Sequence, residues 1–356
     1  MKKFVIKILI YVLAFCIIAI LPCVLLDPYN VFHPFHVRDN GVEPNKNFIK
    51  MTYIKANPDK FDSFMFGSSL TGMVNPENVP EASCYNMTHS GGIPSETLAN
   101  LKTMLKSGIV PKKIFLGLES ISYSDCYENR CSNRMRCPYE YSRTNPLKFL
   151  ELYIDPAVNI EALKTVMASE TENNSVVEDV FYNNGGYPFY GYTWKFDENE
   201  ARRTLEETKS QMRTAISSGT LSSDRPQYMD EALESVKEIV KLCKENNIEL
   251  TVFTNPMYYE TFSDAVIKQC YLMFLSELAE ITPYYNFCGF NDYTTDLHYY
   301  HEDKTHFLVE LGDIMLDVMC NDAENEKIPT QGFGTYVTKN NVGELIKLFS
   351  SPDTYA

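Results

Sequence analysis

The chain has no internal repeat, no low-complexity stretch and no Cys-x-x-Cys pair. The first two absences exclude repeat arrays and biased, coreless segments. The third speaks against a zinc site, although ten cysteines are present. Positive charge is also scarce: 32 Lys and Arg stand against 47 Asp and Glu, for a formal net charge of −15. Three of those lysines lie at the extreme N-terminus, so the remainder stands at about −18. A chain this acidic does not bind nucleic acid through its phosphates, and anionic lipid or polymer is repelled unless a local patch intervenes. Lys102, Lys106, Lys112 and Lys113 cluster, but a solvated helix face accounts for them.

Long apolar runs are missing with one exception. Phe4 to Leu26 is interrupted only by Lys7 near its start and Pro22 near its end. As a helix it is about 34 Å long, enough to cross a hydrocarbon core. Lys2, Lys3 and Lys7 precede most of the run, which predicts a cytoplasmic N-terminus with the bulk of the chain outside. A cleaved signal peptide is the alternative. The run is long for one, and no small-x-small site precedes Asp27, so an uncleaved single-pass anchor in the cell membrane is expected over 1–26. A membrane-proximal segment over 27–60, an α/β domain over 61–320 with an insertion at about 121–228, and a polar, partly peripheral tail over 321–356 complete the expected organisation. Eight cysteines lie beyond the anchor. Cys126, Cys131 and Cys137 cluster in a polar loop where one local disulfide is expected, with its connectivity open. Cys243 and Cys270 sit at apolar helical positions and read as core thiols.

The strongest chemical signal is Phe64-Met65-Phe66-Gly67-Ser68-Ser69-Leu70-Thr71, an apolar run that stops at Gly-Ser-Ser. It predicts a strand, then a tight turn that lifts a serine hydroxyl to the C-terminal edge of a sheet, where open α/β folds place their chemistry. Gly-Ser-Ser is also a common turn tripeptide. A nucleophilic serine needs a base and a group that orients the base. Asp303-Lys304-Thr305-His306 offers both, ahead of the helical run Leu308, Leu311, Ile314, Met315, Val318. His298 and His301 compete in the same segment, which also reads as a plain polar surface.

Further elements fill the interval. Cys84-Tyr85-Asn86 leads into a glycine turn at Gly91-Gly92, and Ser95 is expected to cap a helix with Leu98, Leu101, Met104 and Leu105 on one face, ended by Gly108. Lys112 to Gly117 reads as a buried strand, Asp230 to Lys244 as an amphipathic helix, and Ile248 to Phe253 as another strand; this alternation favours a parallel sheet. The expected insertion carries Tyr182, Tyr187, Phe189, Tyr190, Tyr192, Trp194 and Phe196 with interleaved glycines. These aromatics either pack down on the domain or form a wall for a glycan or polyol chain.

Gly67-Ser68-Ser69-Leu70 resembles the first block, Gly-Asp-Ser-Leu, of the SGNH (GDSL-like) hydrolase superfamily, with Ser68 in the aspartate's place. Asp303-x-x-His306 resembles its last block, and the Asn86 to Gly92 stretch its second. The resemblance implies a flavodoxin-like, three-layer parallel α/β sheet with no cofactor and no metal. It implies Ser69 as nucleophile, His306 as base, Asp303 as its orienting carboxylate, and the backbone N–H groups of Ser69 and Gly91 as oxyanion donors. The third block departs from the pattern. Gly117-Leu118-Glu119-Ser120 stands where Gly-x-Asn-Asp is usual, so the oxyanion asparagine is missing. Asn255 is a candidate substitute, and equally a turn residue before Pro256. With the anchor and Asp27-Pro28-Tyr29-Asn30 behind it, the chain is similar to membrane-anchored SGNH-like proteins of bacterial envelopes. Examples are the D-alanine-transfer protein of lipoteichoic-acid modification and alginate O-acetylation proteins. Their likeness implies acyl transfer or ester cleavage on an envelope glycan or polyol polymer, with a membrane-bound O-acyltransferase or an acyl carrier as partner. A non-catalytic binding scaffold of the same shape is the other reading.

Overall fold

The computed structural model describes residues 2–169, 175–182, 195–221, 224–321 and 332–356. Two compact units emerge, and their boundaries differ from the expected ones. One comprises Met1–Ala56 with Glu128–Tyr182; the other comprises Asn57–Tyr127 with Asn183–Ala356. The expected insertion is therefore split, because its first half packs with the N-terminal residues.

The second unit is α/β and built on one six-stranded, mostly parallel sheet. Its strands are β1 (Ser63–Phe66), β2 (Cys84–Asn86), β3 (Lys113–Leu118), β4 (Glu249–Thr254), β5 (Tyr284–Asn286) and β6 (Thr335–Val337). They run in the order β2-β1-β3-β4-β5-β6, with only β6 antiparallel. The first five follow the flavodoxin order, in which the chain winds one way from β1 to β2 and the other way from β3 onward. β1 and most of β3 are buried, as parallel strands covered on both faces must be. Phe66 pairs with Leu116, and Leu118 with Thr254, so the C-terminal ends of β1, β3 and β4 lie side by side. That edge, at the point where the winding reverses, is where such sheets open a crevice.

The helices follow the apolar periodicity. Helix Pro94–Lys106 buries Leu101 and Met104 and packs on helix Met229–Glu245, whose Ala232, Leu233, Val236, Ile239 and Cys243 are buried as expected. Ser95 is not the cap of the first of these. Pro94 takes the opening helical position, where no N–H is needed, and the Glu96 carboxylate reaches back to accept from Ile93 N at 3.1 Å. Gly108 does end it, at φ +78°. The C-terminal segment is not a peripheral tail. Residues 332–356 supply β6 and bury Leu345, Phe349 and Tyr355.

In the first unit, Lys2–Leu26 is one 25-residue helix with Pro22 inside it. Among the described residues no helix is long and apolar enough to cross a membrane. The expected N-terminal helix is present over Lys2–Leu26. Immediately after it, Asp27 turns the chain at φ +44° while its carboxylate accepts from the backbone N–H groups of Val31, Phe32 and His33. Deeper in this unit, Lys46 and Lys50 share Asp179 at 2.8 and 2.7 Å. Burial pushes Lys50 down to about 8, and the two lysines hold Asp179 below the usual carboxylate range against its own burial. No disulfide joins Cys126, Cys131 and Cys137, contrary to the expected one; Cys137 donates its S–H to the Cys131 carbonyl. Cys243 is the core thiol expected, whereas Cys270 is half-exposed at the start of helix Cys270–Ile281.

Candidate active site

β1 ends at Phe66, and the chain turns at Gly67 with φ +149°, a conformation side chains resist. A Cβ there would collide with the Thr71 side chain and lie 2.9 Å from the Gly117 carbonyl oxygen. Gly117, near the end of β3, meets the same Thr71 from the other side. Thr71 is thus a fully buried plug between the ends of two strands. The two glycines are what make room for it.

This turn leaves Ser69 half-exposed while burying its neighbours Ser68 and Leu70. The His306 Nε2 atom lies 2.8 Å from Ser69 Oγ, and His306 Nδ1 lies 2.6 Å from Asp303 Oδ2. An ionised aspartate only accepts, so Nδ1 carries the proton and Nε2 is left to accept from the serine hydroxyl. The other Asp303 oxygen accepts from Thr305 N at 2.9 Å and His306 N at 3.0 Å. Partial burial pushes this carboxyl up, but the His306 ring and the two backbone donors outweigh it and hold it below the ordinary carboxylate range.

The base sits on a tight loop. His301 N donates to His306 O at 2.9 Å, Lys304 N donates to His301 O at 2.9 Å, and Lys304 adopts φ +53°. Helix Val309–Asn321 follows at once, and it closes on the nucleophile turn. A Cβ at Gly312 would stand 2.7 Å from the Met73 carbonyl oxygen, just beyond Ser69. The base and the nucleophile are therefore fixed to one another by backbone packing and not only by their own hydrogen bond. The competing histidines are placed elsewhere. His298 is exposed, bonded to Asp296 Oδ1 at 2.7 Å and edge-on to Phe196. His301 is buried, which lowers its proton affinity.

Gly91 lies in the turn after β2 at φ +60°. A Cβ on the next residue, Gly92, would collide with the Gly67 carbonyl, so this turn abuts the nucleophile turn. Asn255 is set differently. It is fully buried, and its Nδ2 donates to Thr71 Oγ1 at 2.8 Å, which places it beneath the turn while Ser69 is at the surface.

Glu119, the residue that breaks the pattern at the end of β3, is also buried. Its Oε1 accepts from Ser68 Oγ, and Ser68 Oγ in turn accepts from Leu70 N at 3.1 Å. Burial pushes the Glu119 carboxyl up from 4.5, hydrogen bonds from Ser68 and Asn255 pull it part of the way back, and it settles at about 7. Its stabilising effect is therefore full below 4.5 and lost as pH rises through 7, for a total of about 3 kcal/mol. Thermal unfolding should accordingly rise by roughly 5 °C as pH falls from about 8 to about 5.5. The rise should vanish in Glu119→Gln. Identical pH profiles for the two proteins would refute the burial argument.

The resemblance pointed to Ser69, Asp303 and His306, and the fold brings these three together. It missed Thr71 and the Ser68–Glu119 pair, whose significance lies in what packs against them. Of the aromatic residues, Tyr182 is exposed and Phe196 contacts His298, while Tyr187, Phe189, Tyr190, Tyr192 and Trp194 lie outside the described residues. No family model and no curated protein matches the chain.

Proposed function

We propose that this chain is an SGNH-like serine acyltransferase or esterase, anchored in the cell membrane by its N-terminal helix and acting on a cell-envelope polymer outside. The observation that carries the chemistry is the continuous relay from Ser69 Oγ through His306 to Asp303, at 2.8 and 2.6 Å, between residues 237 positions apart. The anchor reading rests on a 25-residue helix that exposes Phe4, Ile6, Leu9, Ile10, Ile17 and Ile18.

In this reading Ser69 Oγ attacks an acyl carbonyl as His306 Nε2 takes the hydroxyl proton. The oxyanion is held by the backbone N–H groups of Ser69 and Gly91. Collapse expels the leaving alcohol, which receives the proton from His306, and leaves an ester on Ser69. An acceptor hydroxyl on the envelope glycan or polyol, or water, then attacks that ester and gives its proton to His306, which returns it to Ser69 Oγ as that oxygen leaves. A membrane-bound O-acyltransferase or an acyl carrier would supply the acyl group. Labelling of the wild-type protein by a serine-directed fluorophosphonate, absent in Ser69→Ala, tests the nucleophile. Release of free acid without any acceptor separates hydrolysis from transfer. Asp303→Asn should lower kcat by roughly 10⁴, because an amide no longer enforces the tautomer that leaves Nε2 free. Steady-state kinetics check this; activity within tenfold of wild type would remove Asp303 from the relay.

One observation favours the second reading, a scaffold that binds an acyl carrier or polymer without turnover. Glu119 stands where the resemblance calls for an oxyanion asparagine. A scaffold does not react with the fluorophosphonate.

A further inference from the structure

Glu119 has no part in the relay, yet it is built into the floor of the site from four sides. Ser68 Oγ donates to its Oε1 from the turn after β1. Ser122 Oγ accepts from its backbone N at 3.0 Å. The Asn255 side chain, from the segment after β4, lies beside its carboxyl and holds its proton affinity down as a donor. Of the titratable groups, Cys288 faces it from beyond β5; burial pushes that thiol up to about 11, so it stays neutral. Cys288 donates to Asn255 O at 2.7 Å and bonds the Tyr271 hydroxyl at 3.0 Å, which closes the network away from solvent.

Two features indicate what this network holds and in which protonation state. First, Ser68 Oγ is a bridge. It donates to Glu119 and accepts from Leu70 N, so it clamps the backbone on both sides of Ser69. The peptide that carries the nucleophile, and the N–H that would face an oxyanion, is thereby fixed to the end of β3. Second, Asn255 Nδ2 is engaged by Thr71, while Asn255 Oδ1 is buried without a hydrogen-bond partner among the described residues. A buried acceptor left unmatched is costly. A carboxylate in the same pocket would add a second buried acceptor, and a negative one, whereas a carboxylic acid is neutral.

We propose that protonated Glu119 is the positioning residue of the nucleophile turn, a neutral buried acid that accepts from Ser68 Oγ and so ties the turn to the end of β3. In place of an asparagine that touches the oxyanion, this chain has a neutral acid that holds the Ser69 N–H through Ser68. Loss of the proton leaves a buried charge with no counter-ion among the described residues. The turn then loosens, and reactivity at Ser69 falls as pH rises through about 7. This inference rests on Ser69 being the nucleophile.

The test uses the full chain in detergent and two readouts. The first is the rate of fluorophosphonate labelling of Ser69 from about pH 5.5 to 9. Glu119→Ala should lower it by about 10²-fold through misplacement of the turn. Glu119→Gln, which keeps both an acceptor and a donor, should restore it to within a few-fold and should erase the decline seen in wild type near pH 7. A Gln variant as slow as Ala, or one that keeps the wild-type pH profile, would overturn the proposal. The second readout needs no activity: the backbone amide resonances of Ser69 and Leu70 followed over the same range. They should titrate with a midpoint near 7 in wild type and stay still in Glu119→Gln. Resonances that do not move in wild type overturn the proposal. If they titrate as expected while no labelling occurs, the coupling stands and the nucleophile reading of Ser69 is what fails.

Discussion

Ser69→Ala and His306→Ala should each abolish acyl transfer, with rates about 10⁴- to 10⁶-fold below wild type and unfolding transitions unchanged. The magnitude follows from how the two side chains act as a unit. Ser69 Oγ is a weak nucleophile until its proton has somewhere to go, and His306 Nε2, 2.8 Å away, is that place. Removing either member removes the same step, so the double variant should be scarcely slower than each single one. The fold should tolerate both changes. Ser69 is half-exposed, and the loop that carries His306 is closed by backbone hydrogen bonds that an alanine retains, among them His301 N to residue 306 O at 2.9 Å. Single-turnover assays with an activated ester, alongside thermal unfolding, check this. A variant that stays folded and keeps more than about a hundredth of the wild-type rate would dismantle the relay.

The second large effect falls on stability. Gly67→Ala should destabilise the protein by at least about 3 kcal/mol and reduce Ser69 labelling with it. Two costs add. The backbone stands at φ +149°, and the new Cβ would strike Thr71 and crowd the Gly117 carbonyl at 2.9 Å. Thr71 cannot retreat, because it is fully buried and held by Asn255 Nδ2 at 2.8 Å. Gly108→Ala supplies the contrast. That glycine stands at φ +78°, but no atom lies within 4 Å of its added Cβ, so only the backbone term of about 1 kcal/mol applies. Urea unfolding of the two variants separates steric from conformational cost. Equal losses would show that the Thr71 plug contributes nothing.

The legible parts of this protein are those coded by neighbours. An apolar run ending at Gly-Ser-Ser announces a buried strand and a sharp turn, because strand burial and glycine's tolerance are local properties. Asp303 and His306 announce themselves because three residues suffice to bring a carboxylate to an imidazole. The amphipathic periods of Pro94–Lys106 and Met229–Glu245 were readable for the same reason. Misreadings occurred where a local pattern had two solutions. Ser95 looks like a cap until Pro94 takes the first helical position and Glu96 reaches back to Ile93. The polar C-terminal stretch looks peripheral until Thr335–Val337 pairs with Tyr284–Asn286 across nearly fifty residues of chain. The residues between 128 and 182 look like an insertion in one domain, but their partners are residues before 57.

By itself, the sequence determined an acidic α/β chain with an apolar N-terminal helix, a serine at a strand-to-helix edge and an Asp-x-x-His near the other end. Composition and short-range geometry settle these. Only the tertiary structure decided which of three clustered histidines meets Ser69, that Thr71 fills the space two glycines leave, and that Glu119 sits buried among Ser68, Asn255 and Cys288 with its carboxyl raised to about 7. Each of these is a matter of burial and of contacts between residues dozens to hundreds of positions apart. A glutamate's proton affinity depends on the water and dipoles around it, and a linear sequence does not contain them.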